Sequence, residues 1–107
     1  LMHLESLRTC AFLGIKNFKH IILNNNSHES VGGTNTSAKT MDFKYLSKSL
    51  GYKNFFLIKK KSEIKKKLSF FLKCKGPSLM NVLIEKGISK KLTRPKNFIK
   101  IKEDFMK

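Results

Sequence analysis

The scarcities in this chain narrow its possible roles before any motif is considered. It has no tryptophan, two prolines, two cysteines and only 7 Asp+Glu among 107 residues. The cysteines, Cys10 and Cys74, stand far apart. They have neither metal-ligand spacing nor a C-x-x-C pattern, which speaks against a zinc site and against a redox pair. Free thiols buried in a reducing compartment are the expectation. No apolar run approaches the roughly 18 consecutive residues that a membrane-spanning helix requires. No secretory signal with a charged start and a small-residue cleavage site is visible. The expected location is cytoplasmic, with no membrane partner.

The shortage of acidic residues leaves 23 Lys+Arg in excess and a formal charge of +16. Such a charge ordinarily raises nucleic acid or an anionic surface as a partner. The composition argues otherwise. Arginine occurs only at Arg8 and Arg94, and the lysines accompany an excess of Asn, Ile and Phe. These residue types share AT-rich codons, so coding bias accounts for the charge without a binding function. Nucleic-acid recognition would favour arginine and exposed aromatics interleaved with charge. A small basic nucleic-acid-binding module is retained only as an alternative, and no nucleic-acid partner is expected. The lysine runs at 59–61 and 65–67 flank apolar positions expected to be buried.

A lone domain of this length buries only roughly two thirds of its unfolded surface, so a catalytic site would be shared with other parts of a protein. The helical pattern starts at Leu1 with no loop or capping residue before it, and 1–107 is read as one partial domain. Leu4, Leu7, Ala11 and Phe12 recur at helical spacing until Gly14, predicting a helix over 2–13. The run His20–Asn24 is continuously apolar at its centre, the pattern of a strand buried on both faces. A long polar loop follows over 25–40, and loops of that length in compact domains are often functional. Asp42 caps a second helix through Phe43, Leu46 and Leu50 that closes at Gly51, with Met41 expected to pack on Leu46. A strand at 54–58, a helix at 62–73 through Ile64, Leu68, Phe71 and Leu72, and a strand at 78–84 complete the pattern. After Arg94-Pro95, Phe98, Ile101 and Phe105 suggest a last helix. Alternating helices and strands with short connections predict an α/β fold, a three-layer sandwich of helices over a mostly parallel sheet. Ligands in such sheets bind at the carboxyl ends of the strands. The polar loop lies at that end of the first strand.

The stretch Ile21-Ile22-Leu23-Asn24-Asn25-Asn26-Ser27-His28-Glu29-Ser30-Val31-Gly32-Gly33-Thr34-Asn35-Thr36 carries the most chemical information. Consecutive Asn residues at a strand terminus present neutral carboxamide oxygens. Those oxygens can complete the shell of a hard cation such as Mg²⁺ whose charge is already balanced by phosphate. Taken alone, the composition of an Asn triplet favours a turn over a metal site.

The strand ending in Asn24-Asn25 resembles the second half of the thiamine diphosphate fingerprint, which opens with Gly-Asp-Gly and closes further along with Asn-Asn. The loop His28-Glu29-Ser30-Val31-Gly32-Gly33-Thr34-Asn35-Thr36 is similar to the His-Asp-Ser-Thr-Gly-Gly-Gln-Pro-Thr pattern of phosphonopyruvate decarboxylases. Met41-Asp42-Phe43, Leu50-Gly51-Tyr52, Gly76-Pro77-Ser78-Leu79-Met80 and Leu92-Thr93-Arg94-Pro95 resemble later segments of that family. Glu29, Val31 and Thr34-Asn35 depart from its pattern, which leaves the substrate less defined than the cofactor. Sulfopyruvate decarboxylases have a similar loop, typically with Tyr in place of His28, and are the alternative within the same cofactor class.

The resemblance implies a thiamine-diphosphate-binding fold with thiamine diphosphate and Mg²⁺ as cofactors. It further implies decarboxylation of 3-phosphonopyruvate to phosphonoacetaldehyde and CO₂. Asn25 would give Mg²⁺ its side-chain oxygen and Ser27 its backbone carbonyl, while Asn26 shapes the turn. The Gly-Asp-Gly half would fall just before Leu1. Leu1 and Met2, with His3, would then lie near the diphosphate at a helix N-terminus that favours anions. His28 is the candidate group facing the substrate, with a loop histidine that only pins local backbone as the equal alternative, and His20 is read as structural. Gly32 and Gly33 would allow close approach of a ligand or a tight turn. The glutamate that activates the cofactor would come from a separate pyrimidine-binding domain or subunit. Neither Glu5 nor Glu29 matches it. The parent would be a homo-oligomer, and the chain alone would be inactive.

Overall fold

The computed structural model describes residues 4–87 and 97–106. The expectations for Leu1, Met2, His3, Leu92, Thr93, Arg94 and Pro95 lie outside them. In chain order the elements are α1 (Leu4–Phe12), β1 (Lys19–Asn24), β2 (Ser27–His28), β3 (Thr34–Asn35), α2 (Phe43–Leu50), β4 (Asn54–Ile58), α3 (Ile64–Lys73), β5 (Ser78–Leu83) and α4 (Phe98–Phe105).

The main sheet has the order β1-β5-β4, and both pairings are parallel. Asn24 lies level with Leu83, while Ile22, Asn81 and Leu57 form one rung across the three strands. Side chains alternate along β5 and divide the core in two. Leu79 joins Leu7 and Ala11 of α1 and Tyr52 after α2, with Phe18, Ile22, Leu50 and Phe55 packed around them. Met80 faces the other way, against Ile58 and the fully buried Phe71 of α3, with Phe56, Leu68 and Val82. Helices thus cover both faces of a parallel sheet, as the sequence pattern predicts.

Local chemistry explains the helix ends. Asp42 Oδ1 accepts the backbone N–H groups of Lys44 and Tyr45 at 2.8 and 3.0 Å, satisfying donors that the first turn of α2 leaves free. Gly51 follows α2 with φ 97°, its N–H reaching the carbonyl of Lys48 while that of Tyr52 reaches Ser47. That pair of bonds is a Schellman closure, and the left-handed residue in it is a glycine. Arg8 adds a bond from Nη1 to the Leu50 carbonyl at 2.9 Å, tying α1 to the end of α2. At the start of α3, Glu63 Oε2 accepts from Lys59 and Lys60 N–H, and Oε1 pairs with Lys67 Nζ at 2.8 Å.

His20 and Tyr52 join β1 to the turn after α2 through a 2.9 Å contact between Nδ1 and Oη. Burial holds the His20 imidazole below its ordinary value. It also pushes the Tyr52 phenol up to about 12, with Cys10 adding to the effect. Both shifts favour the neutral forms that share this bond, and a structural role for His20 follows.

Several sequence expectations are corrected. The strand at 20–24 is not buried on both faces: Ile21 and Leu23 are 46% and 66% exposed. The reason is position, since among the described residues β1 sits at a sheet edge and α3 covers the Met80 side over β4 and β5. The segment 25–40 is not an irregular loop but holds the β2–β3 hairpin and two short 3₁₀ turns, at 29–31 and 37–40. Ile64 and Leu72 of α3 are exposed, leaving Phe71 and Leu68 to anchor the helix, so the apolar position between the lysine runs is only partly shielded. Cys10 and Cys74 are free but half-buried. The last helix does form, capped by Asn97, although Phe98, Ile101 and Phe105 are all exposed.

Candidate functional site

The carboxyl end of β1 is organised by two successive turns of the same kind. Asn24 Oδ1 accepts the N–H of Asn26, and Asn25 Oδ1 accepts the N–H of Ser27, each at 3.0 Å. Asn side chains make this closure readily because the carboxamide mimics a backbone carbonyl. Asn26 takes φ 54°, a left-handed conformation that Asn tolerates better than most residues. The chain turns there and enters the hairpin, with Ser27 opposite Asn35 and His28 opposite Thr34. Thr36 N–H returns to the Asn26 carbonyl at 3.0 Å and Gly33 N–H to that of His28 at 2.9 Å. Gly32 and Gly33 have φ of 81° and 71°, so the tight-turn requirement is their structural reason for being glycine.

Glu29 plays a part that sequence reasoning recorded only as a departure from a pattern. Its Oε1 accepts Asn25 Nδ2 at 3.3 Å and the backbone N–H of Gly87 at 3.2 Å. It therefore holds the Asn25 carboxamide against the segment that follows β5. Lys86 Nζ reinforces the same closure by donating to Asn35 Oδ1 at 2.7 Å, and Ile84 N–H reaches the Asn24 carbonyl at 3.0 Å. These contacts span more than fifty positions of chain, which is why no local motif announces them.

Asn25, Ser27, His28 and Thr36 line one cavity of about 230 Å³ together with Asn24 and Phe43. An adjoining cavity of about 450 Å³, bordered by Lys39, Asp42, Lys59 and Asn81, shares the wall of Asn24, Ala38 and Phe43. The structure thus brings Asn25, Ser27 and His28 together at the expected end of the sheet. Asn25 and Ser27 are half-buried and His28 is exposed.

The donors suit a hard cation accompanied by an anion. A carboxamide oxygen has two lone pairs, so Asn25 Oδ1 retains one after binding the Ser27 N–H. Ser27 Oγ and Thr36 Oγ1, both shut off from solvent, have no hydrogen-bond partner. Among the described residues no three His, Cys, Asp or Glu side chains converge, and the oxygens that Asn25 and Ser27 offer are neutral. Also among them, no helix is long and apolar enough to cross a membrane.

Residues 1–82 match the thiamine pyrophosphate enzyme C-terminal TPP-binding domain. The chain belongs to that family, and thiamine diphosphate is the cofactor that the domain type implies. Its curated relatives include phosphonopyruvate decarboxylases from Streptomyces hygroscopicus and Streptomyces viridochromogenes. They are 32% and 30% identical over 96 residues. In both cases the similarity covers 90% of this chain but 24% of the relative.

Proposed function

We propose that this chain is the part of a thiamine-diphosphate-dependent 2-oxoacid decarboxylase that holds the diphosphate end of the cofactor and its Mg²⁺. In this reading the substrate is 3-phosphonopyruvate, converted to phosphonoacetaldehyde and CO₂ in phosphonate biosynthesis, in the cytoplasm. The observation that carries the reading is the Asn25–Ser27 turn, which sets a side-chain oxygen and the neighbouring main chain at the carboxyl end of β1 within a TPP-binding domain.

Bound thiamine diphosphate supplies a carbon nucleophile for the 2-oxo group and an electron sink for the pair released with CO₂. The residues of this chain position and polarise. Asn25 Oδ1 and the Ser27 carbonyl hold Mg²⁺, and Glu29 keeps the Asn25 amide from rotating away through the Nδ2 contact. His28, exposed at the rim of the same cavity, faces the substrate and donates to its anionic group. The activating glutamate belongs to a pyrimidine-binding domain or subunit, and the working enzyme is a homo-oligomer. The similarity to phosphonopyruvate decarboxylases and the presence of His28 where sulfopyruvate enzymes typically carry Tyr favour the phosphonate substrate.

Selectivity tests this assignment. With the full-length protein, thiamine diphosphate and Mg²⁺, His28→Ala is expected to raise the KM for phosphonopyruvate at least about tenfold, with a much smaller change for pyruvate. Equal effects on both substrates, or faster wild-type turnover of sulfopyruvate, would remove the phosphonate reading.

A further inference from the structure

The β2–β3 hairpin carries Ser27 and begins two residues after Asn25, so its position sets both of the proposed metal ligands. By itself it is weak. Ser27–His28 pairs with Thr34–Asn35, and neither strand joins the main sheet. An isolated two-stranded hairpin is marginal in water, so its placement depends on what it is tied to. The ties come from the segment that follows β5. Ile84 N–H bonds to the Asn24 carbonyl at 3.0 Å and carries the β1–β5 pairing past the end of the strand. Further on, Lys86 Nζ donates to Asn35 Oδ1 at 2.7 Å and Gly87 N–H donates to Glu29 Oε1 at 3.2 Å. Among the described residues, these last two are the hydrogen bonds that join the hairpin to a distant part of the chain. Each leads to one of the proposed ligands. Asn35 is paired with Ser27 across the hairpin, and the Glu29 oxygen that takes the Gly87 N–H also takes Asn25 Nδ2. Glu29 and Asn35 are also positions at which the loop departs from the pattern it resembles, so the resemblance does not account for these ties.

We propose that residues 84–87 form a strap that sets the metal turn, with Lys86 and Asn35 as its positioning residues. The proposal rests on the reading that Asn25 and Ser27 hold Mg²⁺. Strap closure and Mg²⁺ binding then favour one another, because a coupling free energy between two events is reciprocal. Lys86 acts through Asn35, and not as a charge that attracts the diphosphate. Lys86 and Asn35 are both exposed, and an exposed contact adds little to global stability, so the effect is local to the turn.

The test uses the full-length protein with Lys86→Met, Asn35→Ala, the two combined, and Lys86→Arg, which keeps charge and donor. Two quantities are measured: the Kd for Mg²⁺ in the presence of thiamine diphosphate, by calorimetry, and amide hydrogen exchange over 84–87 with and without thiamine diphosphate and Mg²⁺. Lys86→Met and Asn35→Ala are each expected to weaken Mg²⁺ binding about fivefold or more, with Lys86→Arg within about twofold of wild type. Both single variants remove the same tie, so the combined variant should be no weaker than the weaker of the two. In the wild type, cofactor and Mg²⁺ together should slow exchange over 84–87, and Lys86→Met should reduce that protection. Weakening in Lys86→Met alone, or an additive loss in the combined variant, would show a charge effect and overturn the strap. Both single variants within about twofold of wild type, or exchange over 84–87 that the ligands leave unchanged, would also overturn it. A wild-type protein that binds thiamine diphosphate without needing Mg²⁺, or not at all, would remove the metal reading and the strap with it. That outcome is seen in the wild type alone, before any variant is compared.

Discussion

Asn25 Oδ1 accepts the backbone N–H of Ser27 at 3.0 Å, joining the proposed side-chain ligand and the proposed carbonyl ligand of one cation in a single turn. Removing the Asn25 side chain therefore withdraws a ligand and loosens the neighbouring one together. In the full-length protein, Asn25→Ala is expected to weaken Mg²⁺-dependent thiamine diphosphate binding at least about tenfold, measured by calorimetry across a Mg²⁺ series. Unchanged Mg²⁺ dependence would detach Asn25 from the metal.

Glu29 orients Asn25 through Nδ2 and anchors the Gly87 backbone with the same oxygen. Glu29→Ala leaves the proposed ligands in place but frees the amide to rotate. Loss of an orienting partner typically costs about 10- to 100-fold in metal affinity. The expected result is a loss in that range with a far-ultraviolet circular dichroism spectrum like that of wild type.

The Glu63 carboxyl is pulled from 4.5 to about 2, first by the hydrogen bond from Lys67 and then by the backbone N–H groups of Lys59 and Lys60. Its folded value lies below its unfolded one. The contribution to stability is therefore complete above pH 4.5 and is lost as pH falls toward about 2. Urea midpoints should show Glu63→Gln less stable than wild type near neutrality, with the gap narrowing through that window. A gap that stays constant with pH would mean that the carboxylate charge is not what stabilises the start of α3.

Gly76 sits where the start of β5 meets the segment before β1, and a Cβ there would lie 2.6 Å from the Phe18 carbonyl oxygen and 2.9 Å from the Ser78 nitrogen. Both obstacles are backbone, so relief requires the Phe18 segment to move away and the chain between Gly76 and Ser78 to change its own conformation. Gly76→Ala should destabilise the protein by about 1–3 kcal/mol, the usual range for overpacking a fitted interior, as measured by denaturant unfolding.

Much of this arrangement was legible in the sequence because it is written in local chemistry. Asp42 and Gly51 bracket α2 as expected, and the alternation of helices and strands led directly to a parallel sheet with both faces covered. The position of Asn25, Ser27 and His28 at the end of β1 follows from the same topology. What escaped depends on distant partners. Leu23 reads as buried from its apolar neighbours, yet edge position leaves it exposed. The link from Glu29 to Gly87 needs the chain to return after β5, and the unpartnered hydroxyls of Ser27 and Thr36 become unusual only once the fold encloses them.

The central claim is tested most directly by the full-length protein supplied with phosphonopyruvate, thiamine diphosphate and Mg²⁺, with released CO₂ as the readout. The account predicts turnover that requires the cofactor and falls at least about 100-fold in Asn25→Ala, through loss of cofactor binding. Absence of turnover with phosphonopyruvate, sulfopyruvate and pyruvate alike, in a protein that binds thiamine diphosphate, would contradict the proposed decarboxylase activity.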